Sequence, residues 1–251
     1  MLISIIGRKP SKSIATIARK TGIRRYMPRR QSEVLVNYGL AGAKLEAYYK
    51  RFPSAKRIHT INKHVGLSKL HVLNVLKRKD IEVPVSKLTL TKKDNLDNFI
   101  EKRIRSIGGL GICKARRRSE IPGKYYQEFI KDRIYELRVH AFKWTKDWVV
   151  QKRVGPADAL AWNFKQGGHF ITIHNPGRYS IFKKARELSD NILDILGMSF
   201  GAVDFIVDKD YNIYFIEVNS APGFTDLSEP IYIDAFTKLK DLSRKNISKL
   251  K

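Results

Sequence analysis

Residues 201–223, GAVDFIVDKDYNIYFIEVNSAPG, constrain this chain more than any other segment. Residues 203–207 and 213–218 are rich in β-branched and aromatic side chains, and DKDYN between them has turn chemistry, so the segment predicts a β-hairpin. Side chains alternate across a strand, which puts Glu217 and Asn219 on one face. Asp204 lies on the partner strand at about the same distance from the turn, with the register open by one residue. Two carboxylates and an amide oxygen there form a hard oxygen donor set. It suits Mg²⁺, which keeps waters and takes its other ligands from nucleotide phosphates. A hairpin with polar ends and no metal accounts for this segment alone equally well.

The rest of the chain is long enough to surround such a hairpin with a core. At 251 residues and 43% hydrophobic content it predicts one large domain or two to three lobes. No apolar run approaches the roughly 20 residues of a membrane span. The opening MLISII is too short for a signal-peptide core and is followed by bases, so the reading is cytoplasmic, with no membrane partner. The single cysteine, Cys113, excludes an internal disulfide, agrees with a reducing compartment, and reads as a small buried apolar residue. Lys and Arg number 49 against 24 acids, a net charge of +25, with local runs at 24–30, 77–79, 114–118 and 238–251. Any one run is explained by a solvated surface. The whole imbalance predicts an anionic partner, whether nucleic acid, polyphosphate or acidic protein segment.

Strand and helix patterns alternate. LISII, a helix over 11–20, a strand over 34–39 and a helix over 41–52 predict a β-α-β-α unit of about 60 residues. A helix over 67–79 leads into the extended IEVPVS. A short strand over 99–102 enters the glycine-rich loop SIGGLGI, and another strand covers 125–130. Residues 137–142 and 148–151 read as a hairpin around WTKD. Apolar residues from Ile181 to Ile195 recur at helical spacing, predicting an amphipathic helix over 180–196. A last helix spans about 230–243. The class is therefore α/β or α+β with antiparallel sheets.

Gly108, Gly109 and Gly111 after a strand let the backbone wrap phosphates with its N–H groups, and Lys102 just before the loop can add a point charge. The pattern is neither a Walker loop nor a dinucleotide fingerprint. Taken with its neighbours, it resembles the ATP-grasp superfamily, and within it the ribosomal-protein glutamate ligases and related carboxylate–amine ligases, over about residues 67–224. The resemblance rests on six motifs in order. They are SKLHVLNVLKRKDIEVPVS with Lys69 at the helix start, Lys102 nine residues before Gly111, the hinge Gln127-Glu128-Phe129-Ile130, Glu136 and Arg138 in ELRVH, the group Lys152, Arg153 and Asn163, and Asp204 followed by E-V-N-x-x-P-G. Arg103 stands where proline is common, the N-terminal lobe is short, and Arg116, Arg117 and Arg118 add charge near the nucleotide mouth. These departures bear on the substrate more than on the nucleotide chemistry.

The resemblance implies an ATP-grasp fold of two α+β lobes holding ATP between them, after a short β-α-β-α domain. The divisions are 1–65, 66–125 with the lid loop, and 126–251 with the metal site. It implies ATP and Mg²⁺ (or Mn²⁺) as cofactors. Lys69, Lys102, Ser106, Gly108, Gly109, Gly111 and the hinge would bind nucleotide, with Glu136 on the ribose hydroxyls. Arg138, Lys152, Arg153 and Asn163 would surround the transferred phosphate, and Asp204, Glu217 and Asn219 would hold the metal. A substrate carboxylate would attack the γ-phosphate, and an amine would capture the acyl-phosphate, giving an amide, ADP and phosphate. The net charge fits an acidic peptide or protein substrate. It serves equally a kinase on the same fold acting on a polyanion such as an inositol phosphate, and a non-catalytic nucleic-acid-binding protein is a third possibility. Against that third reading, Tyr48, Tyr49, Tyr125, Tyr126, Trp144 and Trp148 form no stacking platform beside the basic runs. His140, His169 and His174 read as structural rather than as bases.

Overall fold

The computed structural model describes residues 1–8, 10–104, 111–156, 159–162, 167–223, 228–242 and 244–251. The N-terminal unit runs β1 (Ile3–Gly7), α1 (Lys12–Thr21), β2 (Arg24–Arg25), β3 (Val34–Tyr38), α2 (Ala43–Arg51) and β4 (His59–Ile61). It is a parallel sheet of order β2-β1-β3-β4, so it holds two more short strands than the sequence pattern predicts. β1 and β3 are apolar on both faces because both are covered, as parallel sheets require. Ile5, Val34 and Val36 pack with Ile14 and Ile17 of α1, while Ile6 and Leu35 pack with Leu45 and Tyr49 of α2. Ser11 caps α1 by accepting from the Ile14 N–H, and Gly22 ends it in the left-handed conformation (φ 75°).

Next come α3 (Lys69–Lys77), capped by Ser68, then β5 (Ser86–Lys87), β6 (Phe99–Arg103), β7 (Cys113–Lys114) and β8 (Lys124–Glu128). These strands form a small antiparallel sheet of order β5-β8-β6-β7. Leu90, Phe99, Ala115 and Tyr126 form its own apolar cluster. Cys113 is half-buried rather than apolar core. Its thiol donates to Glu101 at 3.5 Å, because β7 pairs Cys113 directly opposite Glu101.

The chain then builds β9 (Arg133–Phe142), β10 (Val149–Val154), β11 (His169–Thr172), α4 (Ser180–Ile195), β12 (Phe200–Asp208), β13 (Ile213–Asn219), α5 (Glu229–Asp241) and α6 (Arg244–Ile247). The five strands make an antiparallel sheet of order β11-β10-β9-β12-β13. Both expected hairpins are present; β11 is an addition. On one face Leu137, Val139, Val203, Phe205 and Phe215 pack against α3 and α4 through Leu73, Leu76, Ala185 and Ile192. Each such burial contributes about 1.5–3 kcal/mol. At one end of the opposite face, Phe142 and Phe200 stack and pack beneath Tyr232 and Phe236 of α5. Among the described residues no helix is long and apolar enough to cross a membrane.

Asn62 fastens the N-terminal unit to this sheet. Held at φ 57°, it accepts at Oδ1 from the Ser199 N–H (2.7 Å) and donates from Nδ2 to the Phe200 carbonyl (2.9 Å). Its own carbonyl accepts from Asn37 (2.9 Å). Tyr38 donates its hydroxyl to the Pro222 carbonyl at 2.6 Å. Gly39 makes the same junction possible, since a Cβ there would lie 2.5 Å from that of Ala221.

Candidate active site

The pairing of β12 with β13 sets Asp204 opposite Glu217 and Ala202 opposite Asn219. The three donor residues of the hairpin therefore share a face. A register shift follows between Asp204 and Phe205. It lets Phe205 and Phe215 meet edge-on in the core while Asp204 and Glu217 face the other way. β9 pairs Arg138 with Asp204 and His140 with Ala202, and β10 pairs Gln151 with Arg138 and Arg153 with Glu136. One face of the sheet thus carries Glu136, Arg138, His140, Gln151, Arg153, Asp204, Glu217 and Asn219.

These groups form alternating ion pairs. Arg138 grips Asp204 with two bonds of 2.7 Å, from Nε and Nη2. Arg153 donates to Glu136 at 2.7 Å and approaches Asp204 at 3.4 Å. Lys69 at the start of α3 donates to Glu217 at 2.7 Å. Burial alone would raise the Asp204 carboxyl, but Arg138 and Arg153 more than reverse this and hold it below the usual range. Burial also opposes the charge on Arg138, and Asp204 overcomes it, raising the guanidinium further. At Glu136 burial wins over Arg153 and Arg133, and its pKa is raised. Phe170 of β11 lies under both guanidinium groups, 5.2 Å from Arg138 and 4.5 Å from Arg153.

The small sheet contributes Lys102, which is 7% exposed and donates to Gln127 Oε1 at 2.8 Å. Burial, with Lys69 adding repulsion, pushes its pKa down to about 8. Tyr125, directly opposite Lys102 in the pairing of β6 with β8, has a buried hydroxyl without a hydrogen-bond partner among the described residues. Burial first, and Glu217 second, raise its pKa. Arg153 Nε is likewise buried without a hydrogen-bond partner among the described residues. A cavity of about 480 Å³ opens beside Lys69, Glu217 and Asn219, walled by Tyr38, Val65, Phe215 and Ala221, with Arg8 and His64 also lining it.

The sequence-predicted residues divide clearly. Lys69, Lys102, Gln127, Glu136, Arg138, Arg153, Asp204, Glu217 and Asn219 belong to this constellation. Lys152 does not: it points to the opposite face of β10, with Nζ 4.4 Å from the centre of the Tyr135 ring, because strand alternation separates it from Arg153. Glu128 accepts from the Val85 N–H at 3.2 Å, bracing the hinge, and the Phe129 N–H is taken by the Asn98 carbonyl. Ile130 follows in the half-buried connection to β9, and Gly111 turns the chain (φ 79°) ahead of β7. Both oxygens of Glu136 accept from arginines, Arg133 and Arg153. Ser106, Gly108, Gly109 and Asn163 lie outside the described residues. His169 and His174 are exposed, whereas His140 is buried between the Tyr232 hydroxyl (2.9 Å) and Gln151 Oε1 (3.1 Å). An amide oxygen only accepts, so His140 carries its proton on Nε2 and accepts from Tyr232 at Nδ1. Sequence reasoning missed Arg133 and Phe170. The i,i+3 spacing of Arg133 to Glu136 is visible but common, and the four-residue β11 gives too little alternation to be recognised.

The donor chemistry fits MgATP. Asp204, Glu217 and Asn219 are hard oxygen donors on one face, while Lys102 and the unpartnered Arg153 Nε are buried cationic donors of the kind a phosphate satisfies. Among the described residues no group of three or more His, Cys, Asp or Glu side chains could hold a metal by itself. The amide of Asn219 and external oxygens would have to complete the set.

The model of the ATP-grasp domain matches residues 67–224, more than half of the chain. The chain belongs to the ATP-grasp family. Solved ATP-grasp structures share its fold along nearly all of its length. The Chryseobacterium gregarium RiPP-associated ATP-grasp ligase in complex with ADP and a leader and core peptide matches with a TM-score of 0.63 at 13% identity, covering 97% of this chain and 98% of that one. The ATP-grasp ligase PsnB complexed with minimal precursor gives 0.61 at 12% identity, covering 96% and 98%. D-alanine–D-alanine ligase from Bacillus anthracis complexed with ATP gives 0.62 at 16% identity, covering 98% and 96%. By sequence, the D-alanine–D-alanine ligase of Paraburkholderia phymatum is 44% identical over 48 residues, and that of Paraburkholderia phytofirmans is 46% identical over 48 residues. Each match spans 19% of this chain and 15% of the relative's length.

Proposed function

We propose that this protein is an ATP-dependent carboxylate–amine ligase acting on an acidic peptide or protein. The observation that carries the reading is the alternating lattice of Arg138, Arg153, Lys69 and Lys102 with Asp204, Glu136 and Glu217, set beside a cavity large enough for a small acyl or amine group. ATP would lie between the small sheet and the five-stranded sheet. Since β8 runs across residue 125, we draw the boundary between those lobes after Glu128, with residues 1–65 forming the N-terminal domain. Ser106, Gly108 and Gly109, outside the described residues, would bind nucleotide on the same reading.

Asp204, Glu217 and Asn219 would hold Mg²⁺, with Mn²⁺ as a substitute. The ion supplies neutralisation of phosphate charge when bound. Lys102, Arg138 and Arg153 aim fixed positive charge at the same region, in a site where burial strengthens it. Lys69 and Arg138, now paired with Glu217 and Asp204, would exchange those partners for phosphate oxygens. A substrate carboxylate oxygen bonds to the γ-phosphorus as the bond to ADP breaks. The amine nitrogen then bonds to the acyl carbon, phosphate leaves, and the amine proton passes to solvent or phosphate. Closure must exclude water, which would otherwise hydrolyse the acyl-phosphate.

The test is a paired measurement of ADP and free phosphate from MgATP with amino acids, acidic peptides and polyanionic metabolites, using Glu217→Ala as the blank. Equal ADP and phosphate, dependent on both a carboxylate and an amine, is the expected result. ADP without matching phosphate would replace this reading with the polyanion kinase. Turnover in the Glu217→Ala blank equal to wild type would remove the site assignment.

A further inference from the structure

A second cavity, of about 820 Å³, lies between β4, the C-terminal end of α4 and residues 250 and 251. Lys56, Arg57, His59, Lys63, His64 and Lys251 line it, and among the described residues no Asp or Glu side chain does. Lys56, Arg57 and Lys63 are exposed, and among the described residues none of the three forms an ion pair. Their charge is therefore available to a partner. The floor is apolar, built from Ile58, Ile195, Leu196 and Leu250. β4 is the last strand of its sheet, with Thr60 and Ile61 buried and the Asn62 N–H just beyond it taken by the Lys251 carbonyl at 2.6 Å, so it presents its exposed His59 end to the cleft.

This cleft adjoins the candidate active-site cavity. His64 and Leu196 line both, and the inner cavity ends at Lys69, Glu217 and Asn219. Among the described residues no Phe, Tyr or Trp side chain lines the outer cleft, and the two imidazoles there, His59 and His64, form a smaller stacking surface than the ring platforms of single-strand binders. We propose that the cleft docks an acidic peptide segment beside the His59 end of β4, with Lys56, Arg57 and Lys63 meeting its carboxylates, and directs that chain past His64 toward the active site. The second half of this proposal rests on the ligase reading. The docking itself does not.

The experiment is fluorescence anisotropy of a fluorescein-labelled oligoglutamate peptide titrated with the full chain, without ATP. The charge-reversed variant Lys56→Glu, Arg57→Glu, Lys63→Glu is compared with Arg29→Glu, Arg30→Glu, Lys92→Glu, which changes net charge equally at exposed positions elsewhere. The expected result is saturable, salt-sensitive binding, weakened about tenfold or more in the cleft variant and less than about twofold in the control. The milder Lys56→Gln, Arg57→Gln, Lys63→Gln set should weaken it several-fold, and thermal melts followed by circular dichroism should show all variants folded. Glu217→Ala should bind the probe like wild type. Equal weakening by the cleft and control variants would overturn the proposal in favour of a diffuse field. So would an oligothymidylate strand that binds as tightly with the same sensitivity to the cleft variant. Saturable docking in a protein that releases no phosphate from any substrate would uphold the cleft and remove the ligase reading alone.

Discussion

Leu137, Val139, Val203 and Phe205 are at most 1% exposed and surrounded by hydrocarbon. One residue away along the same strands, Glu136 and Asp204 are 5% and 3% exposed and lie among arginines. The two faces of the five-stranded sheet thus share a backbone and a depth of burial but do opposite work. The helix-covered face stabilises through apolar area removed from water. The charged face costs desolvation that its ion pairs only partly offset, and a hydrocarbon face of equal volume would hold the sheet together better. On the proposed ligase reading, such charges are worth keeping because phosphate and metal would later replace the internal partners.

That contrast can be broken at defined points. The largest effect should come from Glu217→Ala, with turnover falling about 10³-fold or more while stability changes by less than about 1 kcal/mol, since Glu217 is partly exposed. Steady-state kinetics beside urea unfolding would check both halves, and a large stability loss would blur the division of labour. Phe205→Ala, on the other face, should do the reverse. It should cost about 3–5 kcal/mol of stability and leave nucleotide affinity of the folded protein unchanged by calorimetry.

His140 should make the charged face acid-sensitive. Burial first, then Arg138, pushes its pKa down to about 4 from 6.5. Between those values the unfolded chain takes a proton that the native state refuses. Stability attributable to this group is therefore full above about 6.5 and falls by about 3 kcal/mol as pH drops to about 4. Denaturation at stepped pH should show this slope, and His140→Gln should flatten it. Lys102 gives the next effect. Its proton is present below about 8 and lost above, so ATP affinity should fall toward tenfold over the next pH unit, and Lys102→Met should bind weakly at every pH. Calorimetry across that range decides it. Smallest is Lys152→Met, which removes a contact with Tyr135 and should cost under about 1 kcal/mol, with turnover within about twofold of wild type. A tenfold loss of turnover there would return Lys152 to the active site.

Much of this was legible in the chain. The alternation in residues 201–223 specified the hairpin, and its pairing placed Asp204 with Glu217, as the spacing from the turn suggested. Lys152 shows where the legibility ended. Its neighbours Gln151 and Arg153 face the site, and adjacency in a motif says nothing about which side of a strand a residue takes. Cys113 fails for a related reason: composition favours burial for a lone cysteine, but its strand partner Glu101 decided its surroundings.

By itself, the sequence determined the local elements, the order of the motifs and the excess of positive charge, because periodicity, turn chemistry and composition are properties of short segments. Tertiary structure alone decided which charges neutralise one another, as when Arg138 and Asp204, sixty-six residues apart, close a bidentate pair. It also decided that a basic cleft and the candidate active-site cavity share His64. Ion-pair choice and the placing of cavities side by side depend on distances between distant segments, and those are fixed only when β-sheet register and core packing bring the segments together.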